Sequence, residues 1–207
     1  MKTTYLSFLF ILISFQMNIF AQKKNIENYN YQVREEEGDL NNDGIIDKIT
    51  VRMDTINETR PFRLQIFLSK PNRKLALAVS STQIIEPMYP TEKKGDHNGY
   101  QIPDFFIEKG ILKIWSEIKS GHITYDFKYR NGNFELINVT KVTNNATKGY
   151  IDENTIFTET KFNLITGLRT EKDETLDTKK FKIRKKNVLV SPLPKIQDFK
   201  FSDKELY

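Results

Sequence analysis

The string DLNNDGIID, residues 39 to 47, sets side-chain oxygens at its first, third, fifth and ninth positions: Asp39, Asn41, Asp43 and Asp47. Gly44 occupies the sixth position and Ile45 the seventh, where a backbone carbonyl could be offered. Alternate residues of a tightly coiled loop point to its inside, and a glycine permits the sharp turn that brings later oxygens back to the same point. Such a set suits a hard cation that takes roughly 6–8 oxygen ligands, which is calcium chemistry; magnesium keeps more of its water and uses fewer protein ligands. The same residue types also build plain polar turns. The register of four oxygens with one glycine favours the ion, as do Glu35, Glu36 and Glu37 just upstream, whose charges repel unless a cation offsets them.

An EF-hand would carry a bidentate glutamate at the twelfth position and a helix on each side. Here the twelfth residue is Thr50, inside a β-branched run. The loop is therefore expected between strands, with Glu37, Asp54 or water supplying any missing ligand, and with an affinity of roughly 10⁻⁴–10⁻³ M typical of extracellular modules. The stretch GDLNNDGIIDKITV resembles the calcium loops of FG-GAP and VCBS-type repeats, found in extracellular β-propeller and adhesion-related proteins. More widely, RPFRLQIF, QIIEPMYP, NGNFELI, KFNLITG and LPKIQDF resemble a group of exported bacterial proteins of unassigned function, a likeness that implies no catalytic residues. The acidic string occurs once, which argues against a complete propeller of such loops.

Other chemistry is thinly supported. The two histidines, His97 and His122, sit in no HExxH or GxSxG context. Asp96, Asp104, Glu108 and Glu117 could furnish a glycosidase-type pair, but no spacing singles one pair out. KKFKIRKK (179–186) reads as a lysine-guarded edge strand rather than an anion-gripping surface. Trp115, out of phase with Leu112 and Ile114, is expected in a second core layer, the alternative being a stacking surface for a sugar ring. Without an organised aromatic platform in the basic run, nucleic acid is not an expected partner.

The elements that would position these residues are mainly strands. FRLQIFLS, KLALAVSS, TIFTETKFNL, LRTEKDET and the run from Ile45 to Met53 alternate or are β-branched. Residues 111–142 predict a three-stranded meander, turning at Ser120-Gly121 and at Asn131-Gly132. Residues 86–103, rich in proline and glycine, predict a long loop, a candidate contact surface together with the basic strand. The expected fold is mainly β, antiparallel hairpins and meanders in one sandwich-like or partial-propeller-like domain.

The chain has 207 residues, a net charge of +5 and no cysteine, so disulfides, thiolate metal sites and thiol nucleophiles are excluded. Residues 1–21 combine Lys2, an apolar run from Leu6 to Phe15 and Ala21, the pattern of a cleaved secretory signal, interrupted by Ser14, Gln16 and Asn18. Residues 22–207 then form one β-rich domain with an extended tail at 191–207, without a stable membrane span after cleavage. These readings predict a periplasmic or secreted module with structural calcium, non-enzymatic, engaging an envelope protein or polysaccharide. The alternative expectation is a hydrolase of envelope or environmental polymers with an unrecognised carboxylate site.

Overall fold

A computed structural model describes residues 28–146, 150–175 and 181–200. The expected signal segment, Lys179 and Lys180, and the last part of the tail lie outside the described residues. The described chain is mainly β, in two antiparallel sheets whose strands follow chain order.

The first sheet contains β1 (Tyr31–Gly38), β2 (Asp47–Met53), β3 (Phe62–Ser69) and β4 (Leu75–Ser81), in the order β1-β2-β3-β4. The second contains β5 (Asp104–Glu108), β6 (Ile111–Ile118), β7 (Gly121–Arg130), β8 (Asn133–Asn144), β9 (Ile156–Asn163), β10 (Leu168–Thr175) and β11 (Phe181–Asn187), with β11 and β5 at its edges. Both sheets feed one core. Ile49, Val51, Leu64 and Ile66 come from the first, and Phe105, Leu112, Ile114, Tyr125, Phe127 and Leu136 from the second.

The alternation read from the sequence sets which side of each strand faces inward. In β6 and β7 the buried residues are every second one, as a one-sided sheet requires. In β8 the alternation slips: Asp126 opposes Asn138 while Phe127 opposes Leu136, so Ile137 is an extra residue. This bulge moves the inward set from Phe134 and Leu136 to Val139, all buried.

Turn chemistry is confirmed at Asn131-Gly132, where both residues have positive φ (51° and 77°), as a two-residue hairpin demands. The preceding turn lies one residue earlier than expected. Lys119 and Ser120 form it, and Gly121 is already in β7, paired with Ile118. A Cβ on Gly121 would stand 1.9 Å from the Val142 carbonyl oxygen, so the glycine is there to let β8 approach.

The predicted loop 86–103 is pinned down. Met88 and Tyr89 donate backbone N–H groups to the carbonyls of Arg60 and Thr59 (3.3 and 3.1 Å), and buried Asn98 donates through Nδ2 to the Pro87 carbonyl at 2.9 Å. Between Ile85, Met88, His97 and Ile102 it leaves a cavity of about 20 Å³, room for one water.

The tail does not merely lie over the body. The Pro194 carbonyl accepts the Leu136 N–H at 2.8 Å, and a short 3₁₀ turn, Ile196–Asp198, carries Ile196 and Phe199 into the interior. The Phe199 ring meets Tyr125 at 4.9 Å and Phe127 at 5.8 Å between centroids.

Candidate metal loop and the other predicted sites

Gly38 and Asp47 are register partners at the ends of β1 and β2, so the acidic loop is the connection of a hairpin and is flanked by strands on both sides. Its base is anchored from within. Leu40 is fully buried, and its N–H donates to Asp47 Oδ2 at 2.8 Å. The other Asp47 oxygen accepts the Ser69 N–H at 2.8 Å, and the Ser69 hydroxyl donates to the Ile46 carbonyl. Asp47 is fully buried, so both its oxygens need these donors.

The outer part of the loop curls around its own side chains. Asp39 accepts the N–H groups of Asp43 (3.1 Å) and Gly44 (2.8 Å). Asn41 Oδ1 accepts the Asp43 N–H at 3.0 Å while its Nδ2 donates to Asp43 Oδ2 at 3.0 Å, and Asp43 Oδ1 accepts the Ile45 N–H at 2.8 Å. Asn42 (φ 60°) and Gly44 (φ 82°) take the left-handed backbone that this curl requires. Asp39, Asn41 and Asp43 are thus drawn together, Ile45 follows directly, and Asp47 lies beneath, each of its oxygens holding one N–H. Among the described residues no three His, Cys, Asp or Glu side chains form a metal-holding group. The oxygen set read from the sequence counts Asn41 and a carbonyl as well, and each carboxylate oxygen that takes one N–H keeps a further lone pair.

The loop also touches the second sheet. A Cβ on Gly38 would come within 2.7 Å of Ile107, and one on Gly110 within 2.4 Å of the Asn42 amide, so both glycines allow the hairpin to sit against β5 and its turn into β6.

The upstream acids are offset by a residue the sequence reading did not weigh. Lys48 reaches Glu35 at 2.6 Å and Glu37 at 3.3 Å. The hydrogen bond from Lys48 holds the Glu35 carboxyl below its usual range, and the bond to Glu35 raises Lys48. Glu37 is therefore a partner of Lys48. Asp54 begins the turn after β2, at the opposite end of that strand from Asp47, and accepts the N–H groups of Ile56 and Asn57. Seven strand residues at about 3.3 Å each separate it from the loop, which removes it from the ligand set.

Asp104, Glu108 and Glu117 share a sheet face without meeting at one point, Glu117 being a diagonal neighbour of Asp104 and remote from Glu108. They stand on the outward face of β5 and β6, where Asp104 opposes Trp115, Glu108 opposes Ile111 and Glu117 opposes His122. Glu108 and Glu117 are roughly 20 Å apart by strand rise. His97 accepts the Gly99 N–H through Nδ1 at 2.9 Å and meets the Tyr89 ring edge-on, a loop-fastening role.

Trp115 departs from the second core layer expected for it. It lies on the outward face of β6, half-buried, stacked on His122 with centroids 5.6 Å apart and planes 29° apart. The basic strand is the edge strand β11, exposed along its whole length. Arg184 is nevertheless committed to β10: its Nη1 and Nη2 donate to Asp173 and its Nε to Glu171, which Arg169 also holds. The signal for this, the acid-rich alternation of RTEKDET, was present in the sequence and becomes informative only once β10 and β11 are paired.

Among the described residues no helix is long and apolar enough to cross a membrane. No protein-family model, curated protein or solved structure matches the chain.

Proposed function

We propose that the loop from Asp39 to Asp47 takes up calcium through Asp39, Asn41, Asp43, the Ile45 carbonyl and Asp47, and that the ion is structural. The protein is then an exported, non-enzymatic binding or structural module of the cell envelope or exterior, its first 21 residues serving as the export signal. The observation that supports this reading best is the curl in which Asp39, Asn41 and Asp43 gather around a left-handed Gly44 while Leu40 and Asp47 root the loop in the core. A loop anchored at its base and exposed at Asp43 can admit an ion without reorganising the sheet. Glu108 and Glu117 are far apart along the sheet, and Asp104 is already engaged by Arg34 at 3.6 Å, which favours no hydrolytic pair among them.

Calorimetric titration of residues 22–207 with calcium, wild type against Asp43→Ala, tests the reading. The wild type is expected to bind with a Kd of roughly 10⁻⁴–10⁻³ M. Its melting temperature should rise, by the equivalent of about 2.7 kcal/mol at a hundredfold excess over Kd. The variant should lose both effects. A wild type that neither binds calcium nor melts higher in its presence, or a variant indistinguishable from it, overturns the proposal.

A further inference from the structure

The outward face of the second sheet carries a band of rings and apolar groups that the core does not use. Phe106 on β5 opposes Lys113, Trp115 lies two residues further along β6, and His122 on β7 opposes Glu117, one step further again. The three rings therefore descend diagonally across three strands. The diagonal continues through Val142, which opposes His122, and Phe157, and reaches Phe181 on β11 at the level of Glu174. Strand spacings of about 4.8 Å make this band roughly 29 Å across the sheet. Phe106 is 47% exposed and Phe181 61%. The Trp115–His122 stack lies on the side of the sheet facing away from the core.

The surroundings of the band select a ligand chemistry. Directly across from Trp115 stand Asp104 and Thr124, along its own strand Lys113 and Glu117, and on the diagonal Asp126. Lys113 is taken up by Asp126 at 3.4 Å and Glu108 at 3.9 Å. Asp104 is in turn held by Arg34 at 3.6 Å, so the charges beside the rings are largely paired with one another and Glu117 adds a negative one, a balance that does not favour phosphate, sulfate or uronate groups. What fits is a neutral, extended ligand with apolar faces and many hydroxyls. Ring faces would stack on its apolar side, and the carboxylates with Thr124 and Thr140 would accept from or donate to its hydroxyls.

We infer that the outward face of β5–β9, centred on Trp115 and His122 with Phe106 beside them, is a binding platform for a neutral polysaccharide chain. The inference deepens the reading of a binding module by giving it a partner class, and it uses a different sheet from the calcium loop.

Trp115 is the single tryptophan of the chain, so its emission reports on the site directly. Residues 22–207 would be titrated with neutral hexasaccharides of β-linked glucose and of β-linked N-acetylglucosamine, with hexagalacturonate as the anionic comparison. A saturable change in Trp115 emission with at least one neutral probe, and none with hexagalacturonate, is expected. By calorimetry, Phe106→Ala should weaken binding roughly threefold to tenfold, and Trp115→Ala at least as much. Phe106 is half exposed, so its variant should keep the wild-type circular dichroism. Asp43→Ala should bind the saccharide as the wild type does, which separates this proposal from the calcium reading. Absence of binding to every neutral probe at millimolar concentration, equal binding of hexagalacturonate, or affinity unchanged in both ring variants overturns the inference.

Discussion

The Asp47 carboxylate receives the backbone N–H of Ser69 at 2.8 Å, joining the first residue of β2 to the last residue of β3 in a fully buried position. Its second oxygen holds Leu40 at the start of the acidic loop. One side chain therefore fixes three segments. Asp47→Ala strands two buried N–H groups and should destabilise the fold by about 2–4 kcal/mol in urea denaturation, while Asp47→Asn, which keeps one acceptor, should cost less.

The two glycines around the loop should respond differently to alanine. Gly44 has φ 82° with open space where a Cβ would stand, so Gly44→Ala costs only backbone strain, about 1 kcal/mol. Gly110 has φ 72° and the Asn42 amide 2.4 Å from the added Cβ, so Gly110→Ala should cost more. Combining Gly110→Ala with Asn42→Ala should recover the excess, as a double-mutant cycle in chemical denaturation would register.

Acid should loosen the wing formed by β10 and β11. The hydrogen bonds from Arg184 and then Thr158 hold the Asp173 carboxyl below its usual range. Partial burial pushes Glu171 upward, but the bonds and charges of Arg184 and Arg169 outweigh it and leave Glu171 lowered as well. Carboxyls whose folded values are depressed contribute stability that is complete above the unfolded values, near pH 4, and is lost as the pH falls through the folded values. Arg184→Gln should therefore move the acid transition of this region to higher pH, as amide hydrogen exchange of β10 would report. High salt should shrink the difference, since these groups are near the surface.

Removing one tail ring should be felt throughout the core. Phe199 is 3% exposed and wedged against Tyr125 and Phe127. Phe199→Ala should cost about 3–5 kcal/mol in equilibrium unfolding.

These cases also mark what could be read from the chain. β3 and β10 coincide with FRLQIFLS and LRTEKDET because each strand carried its own alternation or turn-bounded run. β1 gave no such signal: YQVREEEG is largely solvated on both faces, and its pairing with β2 is decided by that neighbour. β5 is a five-residue edge strand, too short for a period to declare itself. The loop's spacing was legible because its members are close in sequence. The grip of Asp47 on Ser69, the neutralisation of Glu35 and Glu37 by Lys48 and the docking of Asn42 beside Gly110 depend on residues brought near only by folding. Trp115 was misplaced because parity shows which side of a strand it occupies, not whether anything covers that side.

The position of Phe199 in the interior has a bearing on biogenesis. The ring that fills the space beside Tyr125 and Phe127 is among the last described residues to be synthesised, so the apolar centre stays unfinished through nearly all of translation. On the proposed export route, a chain not yet carrying this ring would enter the channel with its core incomplete and would close its packing only after Phe199 had passed through.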